Sequence, residues 1–281
     1  MQHTLPPEIL RQVFTWACAD RPTIVSLIRV CKLARDWNLP LLYRSITFLN
    51  ASEVSHFCAT HDPSDIDGRN RLSLVRKVWF GDSGLVQGDL QYGSSSWPLT
   101  FVHRILWLCN NLHTLVIINL DQNLWTHIEG AIPASLEDLV MGPVHGPFFI
   151  KSLTRKPRIK RFTSAQTFMR DDEVVDVVLS PHLRRFRRIS EIGPGKVTPF
   201  WMVEQAECIT KSETLEKMEI LLCGISELGE PMLKELQAKL PKITHDERVT
   251  IRWGQPPTWI ELLRLEFEGE EQSHLASLCQ A

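Results

Sequence analysis

The chain has 281 residues, 43% hydrophobic and 23% charged, a globular composition with room for two domains and no long stretch suited to disorder. Lys and Arg number 31 against 33 Asp and Glu, a net charge of −2 that argues against any general attraction to nucleic acid or an anionic membrane. Seven scattered cysteines without a C-x-x-C pair argue against a disulfide framework and read as reduced, mostly buried thiols. Residues 1–10 lack a basic and then apolar leader, and no run approaches the roughly eighteen apolar residues needed to span a bilayer, so a cytosolic or nuclear location is expected.

Thr4 is the expected N-cap of a first helix, with Pro6 and Pro7 in a first turn where no intrahelical N–H is lost. Ile9, Leu10, Val13, Phe14 and Ala17 recur at helical spacing and make one apolar stripe. Asp20, Arg21 and Pro22 break the pattern, and Thr23 is the expected cap of a second helix bearing Ile24, Leu27, Ile28 and Cys31. Leu33, Trp37, Leu41 and Leu42 form a third apolar set, in which Pro40 predicts a break or kink. Three short helices in about forty residues cannot hide this surface among themselves, because units of that size are marginal until something completes the core. A partner is implied.

The run Leu5-Pro6-Pro7-Glu8-Ile9-Leu10, then Val13-Phe14, Leu27, Val30-Cys31-Lys32 and Pro40-Leu41-Leu42-Tyr43-Arg44 resembles an F-box. The resemblance covers residues 1–50. It implies docking to the Skp-family adaptor and, through it, to a cullin, with Leu5, Pro6, Ile9, Leu10, Val13, Phe14, Leu27, Val30 and Leu41 as the contact surface. The family usually places a tryptophan near position 34; here Ala34 stands there and Trp37 follows one turn later, on roughly the same helical face. The implied role is a non-catalytic subunit that selects what a ubiquitin ligase modifies. A scaffold that delivers no substrate suits the same resemblance.

Residues 51–70 read as a joint between modules, with loop chemistry at His61-Asp62-Pro63-Ser64-Asp65 and Gly68. From residue 71 the chain repeats itself. The segments beginning at Leu112, Leu136, Ile159, Leu183 and Leu215 share an apolar, x, x, apolar core; Val75 opens an earlier copy, and Val249 to Trp253 closes the series. Near-equal periods of this size point to stacked supersecondary units. Helix-like segments precede the strands: Phe101 to Cys109, Phe148 to Leu153, Glu173 to Leu179, Phe200 to Ile209 and Met232 to Leu240. The alternation predicts a mixed α/β fold of parallel strands joined by crossovers over 71–255. It resembles a degenerate leucine-rich repeat lacking the family's regular asparagine; a three-layer α/β sheet is the alternative. Residues 256–281 open with a capping-box pattern, Pro256-Pro257-Thr258-Trp259-Ile260-Glu261, and read as an acidic helix that caps the last repeat.

If apolar positions 0, +3 and +5 of each repeat point into the stack, positions +2 and +4 share the opposite, open face. That face then carries Lys77, Trp79, Arg161, Arg185, Arg187 and Lys217, the candidate target-binding set, together with Thr114, Val116, Asp138, Val140, Thr163 and Glu219. Residues 151–188 hold eleven Lys and Arg against four Asp and Glu. Arg forks bind carboxylate and phosphate bidentately, so an acidic or phosphorylated target segment is one reading. The other is a solvated face paired with the acidic tail, where residues 261–281 hold five Glu and one Arg.

Catalytic and metal motifs reduce to coincidences, and no cofactor is expected. Gly81-Asp82-Ser83-Gly84 has too little chain before it for a trypsin-like triad and reads as a loop after a strand. Around Gly193-Pro194-Gly195-Lys196, Ser190 and Val197 replace residues a P-loop requires. His56, Cys58 and His61, with Asp62, have metal-ligand residue types but sit on the expected joint. Asn50-Ala51-Ser52 is a glycosylation sequon in spelling only.

Overall fold

The computed structural model describes residues 5–18, 21–61, 64, 66–84, 88–143, 145–194, 196, 199–254 and 258–280, with backbone alone for Ser226 and for 270–280. Thr4, Asp20, Asp62, Pro63, Asp65, Gly195, Val197, Pro256 and Pro257, to which the sequence assigned roles, lie outside the described residues.

Three helices open the fold: α1 (Pro7–Ala17), α2 (Arg21–Leu27) and α3 (Lys32–Arg44). Two local expectations are corrected. Helix α2 starts two residues before Thr23, so Thr23 lies within it rather than capping it. Helix α3 continues without a break past Pro40, its N-terminus held by the Cys31 Sγ, which accepts from the Ala34 N–H at 3.4 Å. Phe14 and Trp37 pack with ring centroids 6.2 Å apart, joining α1 to α3.

Helix α3 passes directly into β1 (Ser45–Phe48), the first of eight parallel strands: β2 (Lys77–Phe80), β3 (Thr114–Ile118), β4 (Asp138–Gly142), β5 (Arg161–Ala165), β6 (Arg185–Ile192), β7 (Lys217–Gly224) and β8 (Val249–Trp253). Spatial order equals chain order. The expected joint is therefore structured. Helices α4 (Ala51–Thr60) and α5 (Ile66–Leu72) form the first crossover, and Ile46, Phe48, Val54, Cys58 and Leu72 belong to the main core. Asn50, the sequon residue, opens α4 in a capping box with Glu53.

The later crossovers use α6 (Leu99–Leu108), short 3-10 turns, α7 (Asp171–Val178), α8 (Phe200–Glu204) and α9 (Ser226–Lys239). Their buried apolar residues meet one face of the sheet: Val102, Ile105, Trp125, Ile128, Val174 and Val177 pack with Val78, Leu115, Leu139, Phe162, Phe186 and Met218. Fully burying such a side chain contributes about 1.5–3 kcal/mol, so the row is a principal source of stability. The strands also begin alike. A single carbonyl, that of Arg76, His113, Glu137, Lys160 or Arg184, accepts the N–H of two successive residues where the next strand starts. This regular ladder satisfies backbone groups that would otherwise be stranded at each turn.

The last helix, α10 (Trp259–Gln280), does not cap the final repeat. It crosses the open face of the sheet, where Trp259, Leu263 and Phe267 pack with Trp79, Val116, Val140, Ala165, Ile189 and Leu221. The physical reason is that the open face is itself apolar along its centre and needs a cover, while β8 already packs against α9, with Trp253 seated close to Gly229. The chain is thus α/β, with the crossover helices on one face of a parallel sheet and α10 on the other, a layering that fits the three-layer alternative. Helix α10 also lies beside α1. No helix among the described residues is long and apolar enough to cross a membrane.

Candidate functional site

Two surfaces carry the candidate residues. The first is the N-terminal bundle. None of the nine expected adaptor contacts is buried: Leu5, Pro6, Ile9, Val13 and Val30 are exposed, while Leu10, Phe14, Leu27 and Leu41 are half-buried. Helix α1 buries none of its residues, although Ile9, Leu10, Val13, Phe14 and Trp16 are large and apolar. Leu5, Ile9, Val13 and Trp16 stand 57%, 44%, 44% and 56% exposed, and Val30 and Leu33 add 64% and 53%, so the bundle exposes several large apolar side chains of the kind that soluble chains usually cover.

The second surface is the open face. Strand register places Lys77, Thr114, Asp138, Arg161, Arg185 and Lys217 abreast in one row, and Trp79, Val116, Val140, Thr163, Arg187 and Glu219 in the next, as the repeat spacing predicts. Helix α10 divides the candidates. Lys77 and Trp79 are buried beneath it: the Lys77 ammonium donates to the Phe267 carbonyl and sits 4.3 Å from that ring's centroid, and Trp79 meets Phe267 edge-on at 5.4 Å. Arg187 is clamped by Glu266, its Nη1 and Nη2 each donating to one carboxylate oxygen at 2.6 Å. Burial works to lower the Arg187 pKa, but the hydrogen bonds and charge of Glu266, with Glu219 and Asp138, raise it overall.

Beside α10 a cavity of about 650 Å³ remains, lined on the sheet by Arg161, Arg185, Arg187, Lys217 and Arg252 and by Asp138 and Glu219, and on the helix by Glu266. Arg161 pairs with Asp138 at 2.9 Å; Lys217 and Arg252 share Glu219 at 3.0 and 2.6 Å. Burial alone would raise the Glu219 pKa, but Arg252 and Lys217 hold it below the ordinary carboxylate range. The Arg185 side chain makes no hydrogen bond or ion pair among the described residues.

Sequence reasoning missed three features here. Arg188, counted with its neighbours in a basic run, has the other strand parity and is fully buried on the helix face. Arg252 joins the cavity from β8. The cover over Trp79, Val116 and Val140 had a signal that went unused: Trp259, Leu263 and Phe267 recur every four residues, an apolar stripe matching an apolar strip.

The other candidates are structural. His56 is exposed, Cys58 is buried with its thiol 3.7 Å from the Phe101 carbonyl, and both ring nitrogens of His61 are occupied, by the Tyr43 hydroxyl and the Phe57 carbonyl at 2.7 Å each. These three do not converge, and among the described residues no group of His, Cys, Asp or Glu is placed to hold a metal ion. Gly81 follows β2 with a positive φ of 103°, and a Cβ there would strike the Ile118 carbonyl, so this glycine serves a turn.

His145 is a buried titratable group with a consequence for pH. Its Nε2 lies 2.8 Å from the Ser164 hydroxyl and its Nδ1 3.0 Å from the Gly146 carbonyl, an arrangement that suits the neutral ring. Burial pushes its pKa down to about 4 from 6.5. On acidification the unfolded chain therefore takes up this proton first, and stability present above pH 6.5 is lost as pH falls toward 4. Roughly 2 kcal/mol should disappear between about pH 7 and 5 from this residue alone. Urea unfolding of the wild type and of His145→Gln at the two pH values checks it: the variant should show the shallower dependence, and parallel losses would refute it.

A scan against protein-family models and a search of curated proteins both return no match for this chain.

Proposed function

We propose that this chain is the substrate-recognition subunit of a Skp-cullin-F-box ubiquitin ligase. Helices α1 to α3 act as the F-box and dock the Skp-family adaptor, and the sheet, a leucine-rich-repeat-type solenoid, receives a target protein. Ubiquitin transfer belongs to other subunits; this chain supplies proximity.

The observation that carries the reading is the uncovered apolar face of the N-terminal bundle. An amphipathic helix such as α1 with no buried residue gains little from folding alone, and its exposed Ile9 and Val13 are spaced to enter one groove of a partner. A few such anchors can carry most of an interface's affinity. On the target side, Lys77 and Trp79 serve the fold under α10, which leaves Arg161, Arg185, Arg187 and Lys217 as the residues of the original set that line an accessible cavity.

Purified adaptor pulled down by the intact chain and by Ile9→Asp tests the reading. Because Ile9 is exposed, the substitution should leave the unfolding midpoint in place, while adaptor affinity should fall about thirtyfold, the equivalent of losing a hot spot of roughly 2 kcal/mol. No capture by the intact chain, or equal capture by both, would overturn it. Reconstituted ubiquitin transfer onto a captured target then separates a substrate receptor from a scaffold.

A further inference from the structure

Helix α10 does not fill the face it crosses. Its apolar residues pack along the centre of the sheet, and the cavity of about 650 Å³ lies beside them over β3 to β8, within the range of roughly 300–1,000 Å³ usual for binding sites. We propose that this groove binds a carboxylate-rich segment, a run containing several Asp or Glu, of a partner protein. The proposal deepens the functional reading above, on which it rests only for the identity of that partner as the ligase target.

Charge placement is the first argument. Arg161, Arg185 and Lys217 stand abreast on three neighbouring strands. Strands lie about 4.8 Å apart, and like charges directly opposite each other destabilise a sheet. Asp138 relieves Arg161 and Glu219 relieves Lys217, but Arg185, between them, is left without a carboxylate among the described residues. A carboxylate entering at Arg185 would remove the repulsion. The chain supplies its own example two residues further along the same strand, where Glu266 chelates Arg187.

Gly269 is the second, independent argument. It sits inside the 22-residue α10, where glycine costs about 1 kcal/mol relative to alanine, and it lines the groove. A Cβ there would meet nothing within 4 Å, so packing within this chain does not demand glycine. What its absent side chain preserves is space in the groove.

The groove favours a peptide over nucleic acid. Among the described residues, five cations against three carboxylates, Asp138, Glu219 and Glu266, leave an excess of two charges, enough for a few discrete carboxylates and too few for a continuous polyphosphate.

The test uses the full-length chain and a fluorescent hexaglutamate peptide at low salt, with hexalysine and a single-stranded DNA oligonucleotide as the comparison probes. Hexaglutamate should bind the wild type and the others should not. Arg185→Glu and Gly269→Leu should each weaken binding about tenfold or more. Gly269→Leu should keep or raise the unfolding midpoint, since leucine is the better helix former. Lys151→Glu, remote on the helix side of the sheet, should bind as the wild type does. The proposal is overturned if hexaglutamate does not bind, if DNA binds as well, or if the two groove variants lose no more than Lys151→Glu. Adaptor capture by the same variants keeps the two readings apart, because it should survive every groove substitution.

Discussion

Phe267→Ala is expected to lower the free energy of unfolding by about 3–5 kcal/mol, the range for truncating a large buried aromatic ring, whereas Leu265→Ala on the same helix should change it by no more than about 0.5 kcal/mol. The contrast follows from which side of α10 faces the sheet. Phe267 is 7% exposed and Leu265 47%. The Phe267 ring meets Trp79 edge-on, lies under the Lys77 ammonium, and belongs to a residue whose carbonyl takes a hydrogen bond from that ammonium across 190 positions of sequence. Its loss would also leave the Lys77 charge buried beside a cavity. A double-mutant cycle with Trp79→Ala sharpens the test. An aromatic pair in contact couples by about 0.5–1.5 kcal/mol beyond the area it buries, and a helix that merely capped β8 would show no coupling to a residue on β2. Urea unfolding of the four proteins supplies the numbers; additivity of the two substitutions would remove α10 from the open face.

That placement marks where sequence reading ends. Strand alternation has a period of two, so once the repeats are aligned the face of each side chain follows from local arithmetic, and the two rows from Lys77 to Lys217 and from Trp79 to Glu219 appear in the sheet in the expected register. Nothing local says which distant segment covers a face. The acidic character of residues 261–281 suggested a pairing with the basic row, and Glu266 does pair with Arg187, but the larger contribution, Trp259, Leu263 and Phe267 on the sheet's apolar centre, depends on a match between two patterns far apart in the chain. Strand β1 escaped notice for a related reason. Ser45 to Phe48 adjoins the F-box-like run, and with only four residues it shows its alternation fully only when paired with β2. The candidate site was legible to the same degree: parity put Arg185 and Arg187 together on the open face, while the presence of α10 decides which of them still has an unmet charge.

Parity also separates Arg188 from its neighbours, and the cost of burying it gives an expectation that runs against intuition. The guanidinium is fully buried, donates to the Gln205 side-chain carbonyl and, at 3.2 Å, to the Thr167 carbonyl, and stacks 4.4 Å from the Trp201 ring centroid. Its Nε has no hydrogen-bond partner among the described residues. Burial pulls its pKa down to about 9, with the nearby charge of Glu173 opposing the shift, so the group still carries its charge at neutral pH. Glu173 is 4% exposed and is held by the N–H groups of Phe148 and Arg170 at 2.7 and 2.8 Å, so it does not depend on Arg188 for its hydrogen bonds. The two residues should therefore respond unequally. Glu173→Gln keeps an acceptor for one of the two backbone N–H groups, leaves the other without one, and removes the charge that pairs with Arg170 at 3.5 Å and opposes the desolvation of Arg188, and should cost about 1–3 kcal/mol. Arg188→Met removes the cation, retains most of the volume and lets the thioether rest against Trp201, and should cost no more than about 1 kcal/mol. Chemical denaturation at neutral pH compares them. If Arg188→Met proves as damaging as Glu173→Gln, the guanidinium is an anchor whose hydrogen bonds outweigh its desolvation; if the expected asymmetry holds, the sheet tolerates Arg188 because Glu173 is there.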